Sequence, residues 1–402
     1  MEKRITCLLG AGAAIEVGGP TSINLTKSII EESEFLRSIS VELDKYYGEN
    51  NYSFEDLLHF IETASSYMTS SSALKKYKPI LGAFITISSM LNAEELIHAR
   101  SIIYTKVWDA IQLYDNELFI SEKNAWYSDF WGNLNRQNNL DIITLNYDTT
   151  IQQSLGSFTD GFLQEREVDN FSRLSLEELN RKDISKVINL HGSIMFGGFN
   201  IRNPEEANRY SFEDDFHELY KYSNYETARE MFFSTGKSSR VTQSGEIAEI
   251  TPIITGLRKA DKLIIPPYNA FHHYFFDSIR NNSGLLIVGY SFGDLHVNSI
   301  IDKITALHGD NRRIVVITYI TPKQRDRWHP DNEFLMDDDG WLTTEALSFY
   351  SKAAKDYKPL GDTFYYNNPI TSKDGRVKIY LEGFKQAVEN HSNEIIEFLT
   401  MS

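Results

Sequence analysis

The sequence predicts an α/β fold in which helices cover both faces of a parallel sheet. Short apolar runs recur at residues 5–9, 140–145, 187–190 and 284–288, and each ends in a small or polar turn. Continuous runs of this kind are typical of strands buried on both faces. Apolar residues at helical spacing fill the intervals, and strands that alternate with helices favour a parallel, Rossmann-like sheet.

The first apolar run leads into a glycine turn. Residues 5–20 read ITCLLGAGAAIEVGGP, so Gly10 and Gly12 follow a short strand and precede a helix-compatible segment. Glycines at such a turn let a pyrophosphate approach backbone N–H groups at a helix N-terminus. The third glycine of that pattern is absent because position 15 is Ile. A plain strand-to-helix turn is the alternative interpretation.

Composition limits the class of protein. The chain has 402 residues with 41% hydrophobic residues and a net charge of −16, which disfavours a broad nucleic-acid surface. Cys7 is the only cysteine, so internal disulfides are excluded and a reducing cytoplasm is expected. The apolar run after Lys3 and Arg4 is too short for a signal peptide, and no run approaches the ~20 residues of a membrane span.

Helices and further strands are predicted from spacing. Ser53, with Asp56 three residues on, is a plausible N-cap. Helices are expected at residues 22–36, 53–68, 93–115, 124–138, 270–280, 295–307 and 379–400. Further strands are expected at residues 252–255, 263–265 and 313–319, and the alternation of strands and helices is expected to stop after residue 325. Asp337-Asp338-Asp339-Gly340 lacks the other ligands of a calcium loop and is interpreted as a solvated turn.

These elements suggest a division of the chain. Residues 1–27, 140–198 and 252–325 form the sheet domain, and residues 28–139 form an inserted helical block whose aromatic stripe is interpreted as core. Residues 199–251 are an insertion over the site or a surface excursion. Residues 326–402 are a C-terminal extension and a probable assembly element.

Polar residues follow the predicted strands. Asn146 and Asp148 end the second strand, and His191 ends the third beside a glycine. The carboxyl ends of parallel strands are where α/β sheets place ligands. An Asx turn at Asp148 and a structural histidine at 191 remain open alternatives. A second glycine-bearing turn, GYSFGD, follows the strand at 284–288.

Taken together in this order, GAG, TLNYD, LHGS and GYSFGD resemble the sirtuin-like superfamily, and most of all the sirtuin-like NAD hydrolases of bacterial antiphage defence. The resemblance implies that Asn146 and Asp148 lie at the nicotinamide ribose and that His191 is catalytic. It implies a role in binding NAD+ for Gly10, Ala11, Gly12, Ala14, Pro20 and Thr144. Gly289, Ser291 and Asp294 are expected near the adenosine half.

Departures from the sirtuin pattern narrow the activity. Ala14 replaces the usual serine of the glycine turn, and Thr21-Ser22-Ile23 replaces the Asp-Phe-Arg of deacetylating sirtuins. The four zinc cysteines of those enzymes cannot exist here, so no zinc is expected. Protein deacetylation is therefore not expected, and water is the expected acceptor.

The expected reaction is scission of NAD+ to nicotinamide and ADP-ribose, which would deplete cellular NAD+ during phage infection. Asn146 would orient the ribose or the water, and His191 would deprotonate one of them. Cyclisation is not excluded. Control by a homo-oligomer or by a partner, with an indirect nucleic-acid or phage trigger, is expected from the family.

Other classes of function remain open. The chain could be a nucleotide-binding scaffold subunit that partners a HerA-type ATPase or a short Argonaute. A nuclease or an ADP-ribosyltransferase is a third alternative, although no clustered carboxylates point to a metal nuclease.

Overall fold

The computed structural model describes residues 3–48, 51–68, 93–117, 122–163, 170–198, 219–232, 239–241, 247–249, 251–255, 259–263, 265–320, 344–355 and 368–401. The strands, in chain order β1 to β13, are Arg4–Leu9, Asn139–Thr144, Phe162–Leu163, Phe171–Leu174, Lys186–Asn189, Phe196–Gly197, Tyr220–Tyr222, Ser239–Val241, Ile247–Glu249, Gly284–Val288, Arg313–Ile317, Ile370–Thr371 and Val377–Tyr380.

The α-helices, in chain order α1 to α15, are Gly12–Ile15, Ser22–Ile30, Glu34–Tyr47, Phe54–Met68, Ala93–Glu117, Ala125–Gln137, Thr150–Ser154, Leu176–Leu179, Tyr225–Phe232, Lys259–Lys262, Tyr268–Asn281, Leu295–Ile301, Ile304–His308, Thr344–Ala354 and Phe384–Thr400. Two short 3-10 helices lie at Glu122–Asn124 and Gly309–Asn311.

The main sheet has seven strands in the order β12-β13-β11-β10-β1-β2-β5. Every pairing in it is parallel except that of β12 with β13. The chain proceeds from central β1 outward to β2 and β5, and then returns to β10 on the other side of β1. The strand order therefore reverses between β1 and β10, which is the switch point where open α/β sheets bind ligands.

Helices cover both faces of this sheet, which confirms the predicted fold class. Alternate residues of each strand face opposite sides. Ile142 and Val187 pack in one cluster with the long helices α2 to α6 and with α15. Ile143 and Ile188 pack in the other cluster with α11 to α14. We call the first side the insertion face and the second side the opposite face.

The long helices follow the sequence closely, with one exception. Ser53 Oγ accepts from Asp56 N–H, and Asp56 Oδ2 accepts from Ser53 N–H at 2.8 Å, so the predicted N-cap is confirmed as a reciprocal capping pair. The single helix predicted at residues 22–36 is wrong. It divides because Ser33 is extended and caps a new helix by accepting from Leu36 N–H at 3.1 Å.

The strands predicted at 252–255 and 263–265 are also wrong. Of these residues, Ile264 lies outside the described part, and Ile253 forms only an isolated bridge with Gly192. The segment is buried because it packs under the opposite face, with Ile254 and Ile265 in that core. An apolar run thus indicated burial here without indicating a strand. The helix predicted at 295–307 is divided into α12 and α13.

The C-terminal part contributes to the main sheet. The alternation was expected to stop after residue 325, but β13 pairs parallel with β11 there. The final helix, α15, begins five residues later than predicted. Glu16 Oε2 accepts from Lys385 N–H at 2.7 Å, which caps the start of α15 from the glycine-turn segment. Residues 326–402 as an assembly element remain a prediction.

Part of the predicted insertion at 199–251 is described. Its strand β7 lies in a small sheet of order β3-β4-β7-β6, and α9 follows it. Residues 199–218 and the acidic turn at 337–340 lie outside the described residues. Across the described ranges, no helix combines the length and the apolar character that crossing a bilayer requires.

Candidate functional site

The four motif turns meet at one edge of the sheet. β1, β2, β5 and β10 run parallel, so the residues that follow them lie at a common carboxyl edge. The GAG and GYSFGD turns follow the two strands at the switch point. The NYD and HGS segments follow the two strands on one side of it.

The two glycine turns pack directly against each other. Gly10 N–H donates to Val288 O at 2.9 Å, and Gly12 N–H donates to Gly289 O at 2.9 Å. A Cβ on Gly289, whose φ is +60°, would lie 2.3 Å from Ala13 N. These glycines therefore permit the close approach of two backbones, whereas the sequence reasoning assigned their small size to a phosphate.

This packing changes which donors the first turn offers. The N–H groups of Gly10, Gly12, Ala13 and Ala14 all have intramolecular acceptors. Ala11 is exposed, and no acceptor for its N–H occurs among the described residues. A phosphate at this turn would therefore have Ala11 N–H as its donor from this stretch. The predicted roles of Gly10, Ala11 and Gly12 in binding NAD+ stay predictions.

Ala14 and Pro20 delimit the loop after the glycine turn. Ala14 is buried, and its carbonyl accepts from Gly19 N–H at 2.8 Å, just before partly exposed Pro20. Neither side chain offers a polar group. Their predicted contacts with NAD+ stay predictions.

Asn146 presents a free side chain at the carboxyl edge. It is partly exposed, and its side chain makes no hydrogen bond within the described part of the chain. Buried Thr144 holds the backbone here, because its Oγ1 accepts from Asn146 N–H at 3.1 Å. Thr144 therefore shapes the loop, and Asn146 is the residue of the pair that can reach a ligand.

Asp148 is a structural anchor in this structure. It is 2% exposed and accepts from Tyr114 OH at 2.6 Å, from Thr150 N–H at 3.0 Å and from the Thr150 hydroxyl. Tyr114 belongs to α5 of the helical block. The structure thus favours the Asx-turn interpretation, with the turn fixed from the insertion face.

A second buried carboxylate reinforces this anchor. Asp115, next to Tyr114, accepts from Thr149 N–H at 3.0 Å, from Tyr225 OH at 2.8 Å and from Gln153 Nε2 at 3.0 Å. Burial, and then the nearby negative charge of Asp148, raise the pKa of Asp115 to about 6. Sequence reasoning did not identify Asp115.

His191 lies on the opposite face of the same edge. It is 2% exposed, and its Nε2 lies 3.0 Å from Nε2 of His296 at the start of α12. Burial lowers the pKa of His191 to about 3 and that of His296 to about 4. Both imidazoles are therefore neutral at pH 7, and one donates a hydrogen bond to the other.

Charged groups surround this histidine pair. One ligand atom from each of His191, Asp294 and His296 lies within 4.8 Å of the others. Asp294 Oδ1 is 2.8 Å from Lys259 Nζ, which is also 3.0 Å from Glu55 Oε2. Burial opposes the ionisation of Asp294, but the two histidines and Lys259 lower its pKa below the ordinary value.

One of the predicted adenosine-side residues, Asp294, lies beside His191. The structure brings Asp294 to His191, whereas Ser291 is exposed and Gly289 packs on the first turn. If His191 lies at the nicotinamide ribose, Asp294 lies there too. The adenosine-side roles of Gly289 and Ser291 stay predictions.

The helical block contacts both ligand-facing loops. Trp108 Nε1 of α5 donates to Ile194 O at 3.1 Å, just after His191, and Tyr114 holds Asp148. Glu55 of α4 completes the charged chain to Asp294. The block is therefore part of the site's framework, in addition to any role in assembly.

Sequence reasoning missed His296, Lys259 and Trp108. His296 stands two residues after Asp294, so a histidine directly after the GYSFGD turn was the available signal. Lys259 and Trp108 carried no local signal, because only the fold brings them to residues far away in the chain.

Two cavities flank this edge. One of about 610 Å³ lies between α11 and α12 and is lined by His272, whose ring is 6.1 Å from that of His296. The other, of about 270 Å³, is lined by polar residues that include Thr149, Asn189 and Ser193. Neither is lined by Asn146 or His191.

Comparison with known proteins identifies part of the chain. Residues 141–335 match the family model described as a SIR2-like domain. The match begins within β2 and includes the NYD, HGS and GYSFGD segments, whereas the GAG turn lies before it. No curated protein matches the chain.

Solved Sir2 structures align loosely. A Sir2 homologue mutant in complex with 2′-O-acetyl ADP ribose aligns with a TM-score of 0.37 at 12% identity, over 100% of this chain and 95% of that chain. A Sir2 homologue–NAD complex aligns with a TM-score of 0.37 at 12% identity, over 99% of this chain and 91% of that chain. A third structure, whose subject is the mechanism and regulation of Sir2 enzymes, aligns with a TM-score of 0.31 at 12% identity, over 87% of this chain and 93% of that chain. The family resemblance therefore rests on residues 141–335, just under half of the chain, which match the SIR2-like domain model.

Proposed function

We propose that this protein hydrolyses NAD+ to nicotinamide and ADP-ribose. The observation that supports this most directly is the placement of Asn146 and His191 after adjacent strands β2 and β5, at the carboxyl edge of the sheet within a SIR2-like domain. Asn146 has a free amide, and His191 is neutral. Such an edge, beside a switch point, is the usual place for a nucleotide.

The chemistry requires little acid catalysis. Nicotinamide leaves NAD+ as a neutral group, and the transition state resembles an oxocarbenium ion. Electrostatic stabilisation by nearby negative or dipolar groups then lowers the barrier. Asp294, an ionised carboxylate close to His191, suits that role. Asn146 orients a ribose hydroxyl or the attacking water.

The low pKa of His191 refines its proposed role. A base is most effective when its pKa lies near the working pH, and a pKa of about 3 lies well below it. His191 therefore acts chiefly as a hydrogen-bond acceptor that orients a ribose hydroxyl or water. For this role, the hydrogen bond between His191 and His296 must break, so that the lone pair on Nε2 of His191 can accept from the substrate.

The biological role follows from the resemblance to antiphage NAD hydrolases. We propose that the activity depletes NAD+ in infected cells and that assembly or a partner, such as a HerA-type ATPase or an Argonaute-like protein, controls it. Exposed apolar side chains on the helical block are consistent with an assembly surface: Val41, Tyr46, Tyr47, Ile97 and Leu113.

A second candidate is a nucleotide-binding scaffold without turnover. It is favoured by the engaged N–H groups of Gly10 and Gly12 and by the burial of His191, since both limit what a substrate can reach. In that case nucleotide binding would alter complex formation only.

Product analysis separates these candidates. We would incubate NAD+ with the wild type, Asn146→Ala and His191→Ala and measure nicotinamide and ADP-ribose, with and without the product of the neighbouring gene. The exposed residues Asn311 and His98 supply matched controls as Asn311→Ala and His98→Ala.

The proposal expects products from the wild type and both controls, and about 100-fold less or lower from the two site variants. Activity that survives both site substitutions would overturn the assignment of Asn146 and His191. Binding of NAD+ without products in every mixture would favour the scaffold.

A further inference from the structure

The side chains of His191, Asp294 and His296 form the one group of three metal-ligating residues that converge among the described residues. We propose that this cluster binds a divalent transition-metal ion of the zinc class. Two imidazole nitrogens and one carboxylate are a common ligand set for such ions, with a further position left for water. The cysteine count excluded only cysteine-based zinc, and this cluster contains no cysteine.

The nitrogen geometry suits a shared ion. Nε2 of His191 and Nε2 of His296 face each other at 3.0 Å. Two nitrogens at about 2.0–2.1 Å from a tetrahedral zinc ion lie about 3.3 Å apart, so a small outward movement of either ring admits the ion. The proton of the present hydrogen bond moves to Nδ1 of the same ring or to solvent.

Lys259 does not prevent Asp294 from binding the ion. It contacts Oδ1 of Asp294, and Oδ2 remains for the ion, as in sites where a ligating carboxylate accepts an outer hydrogen bond. Glu55 lies 3.0 Å from the same ammonium. Glu55, Lys259 and Asp294 therefore carry a net charge of −1, which favours a cation beside them.

An ion can reach this place. His191 is buried, whereas Asp294 and His296 are partly exposed. Because the ion takes Nε2 of His191, it competes with the substrate-orienting role proposed above, and zinc is expected to inhibit any NAD+ hydrolysis. Metal binding itself is independent of that proposed function.

The test is titration of Zn²⁺ into chelator-treated full-length protein by calorimetry, with Co²⁺ absorption as a report on coordination. The variants are His296→Gln and Asp294→Asn, with exposed His98→Ala as the matched control. Circular dichroism melting establishes that each variant is folded.

We expect one ion per chain in the wild type and in His98→Ala. Loss of a ligand should weaken binding at least as much as loss of an outer partner, which is about 10- to 100-fold. Two results would overturn the proposal, whatever the outcome of the NAD+ assay. One is a Zn²⁺ affinity in His296→Gln and Asp294→Asn equal to that of the wild type, and the other is no Zn²⁺ binding to the wild type.

Discussion

His191 and Asp148 follow adjacent strands and are equally buried at 2% exposure, but their surroundings differ. Asp148 is surrounded by donors from Tyr114 and Thr150 that fix it. Within the described residues, the His191 side chain has one hydrogen-bond partner, His296, and the carboxylate of Asp294 lies nearby. Equal burial therefore does not assign a role to either side chain, whereas the saturated hydrogen bonds of Asp148 favour a structural role for it.

The largest expected effect comes from His191→Ala. We expect NAD+ hydrolysis to fall about 100- to 10,000-fold, because the group that orients the reacting hydroxyl is lost. The free energy of unfolding should fall by no more than about 2 kcal/mol. Steady-state rates and urea denaturation measure the two quantities. If unfolding alone explained the loss of activity, His191 would be a structural residue like Asp148, which would contradict its proposed role.

Asp148→Ala should chiefly lower the stability of the fold, in contrast to His191→Ala, which should chiefly lower activity. It leaves the Tyr114 hydroxyl and Thr150 N–H without their acceptor, and unsatisfied buried donors cost about 1–3 kcal/mol each. We expect a loss of about 3–5 kcal/mol in the free energy of unfolding, measured by urea denaturation. Tyr114→Phe, which removes only one donor, is the milder companion. Unchanged stability in both variants would contradict the anchor.

Asp115→Asn tests the electrostatics of the anchored side. The folded-state pKa of Asp115, about 6, lies above its ordinary value of 3.8, so the native chain holds a proton there that the unfolded chain loses. The stability contributed by this group is therefore fully present near pH 4 and is lost as the pH rises through 6.

The variant lacks this titration. The free energy of unfolding of the wild type minus that of Asp115→Asn should decline between pH 4 and 6, by on the order of 3 kcal/mol. Urea denaturation at several pH values measures it. A constant difference across this range would show that Asp115 is ionised in the native state throughout.

Glu55→Gln should have the smallest effect. Its ion pair with Lys259 is partly exposed, so we expect a loss below about 1 kcal/mol in the free energy of unfolding. Glu42→Gln, which breaks the more exposed pair with Lys45, is the matched control and should change nothing measurable. A larger loss in the control would mean that the link to Asp294 adds no stability.

The sequence predicted the sheet better than it predicted the site. Continuous apolar runs such as 284–288 identified buried strands, and Ser53 with Asp56 identified a helix start. The run at 252–255 misled because it is buried but forms only an isolated bridge at Ile253, and β13 was missed because Lys378 interrupts its apolar run. Local patterns report apolar character and helix caps, which depend on residues that are neighbours in the sequence.

The site depended on contacts that no local pattern reports. The ends of β2 and β5 placed Asn146 and His191 correctly at one edge. The partners that give these residues their properties lie elsewhere, at Lys259, His296 and Trp108. Burial sets the pKa values of the histidine pair, and burial is a property of the whole fold.

One measurement tests the contrast between His191 and Asp148 most directly. It is the rate of nicotinamide release from NAD+ per folded molecule, compared between His191→Ala and Asp148→Asn. The Asn variant keeps one acceptor at the anchor. The account predicts a loss of at least about 100-fold for His191→Ala and of less than tenfold for Asp148→Asn. Equal losses per folded molecule, or a greater loss for Asp148→Asn, would contradict it.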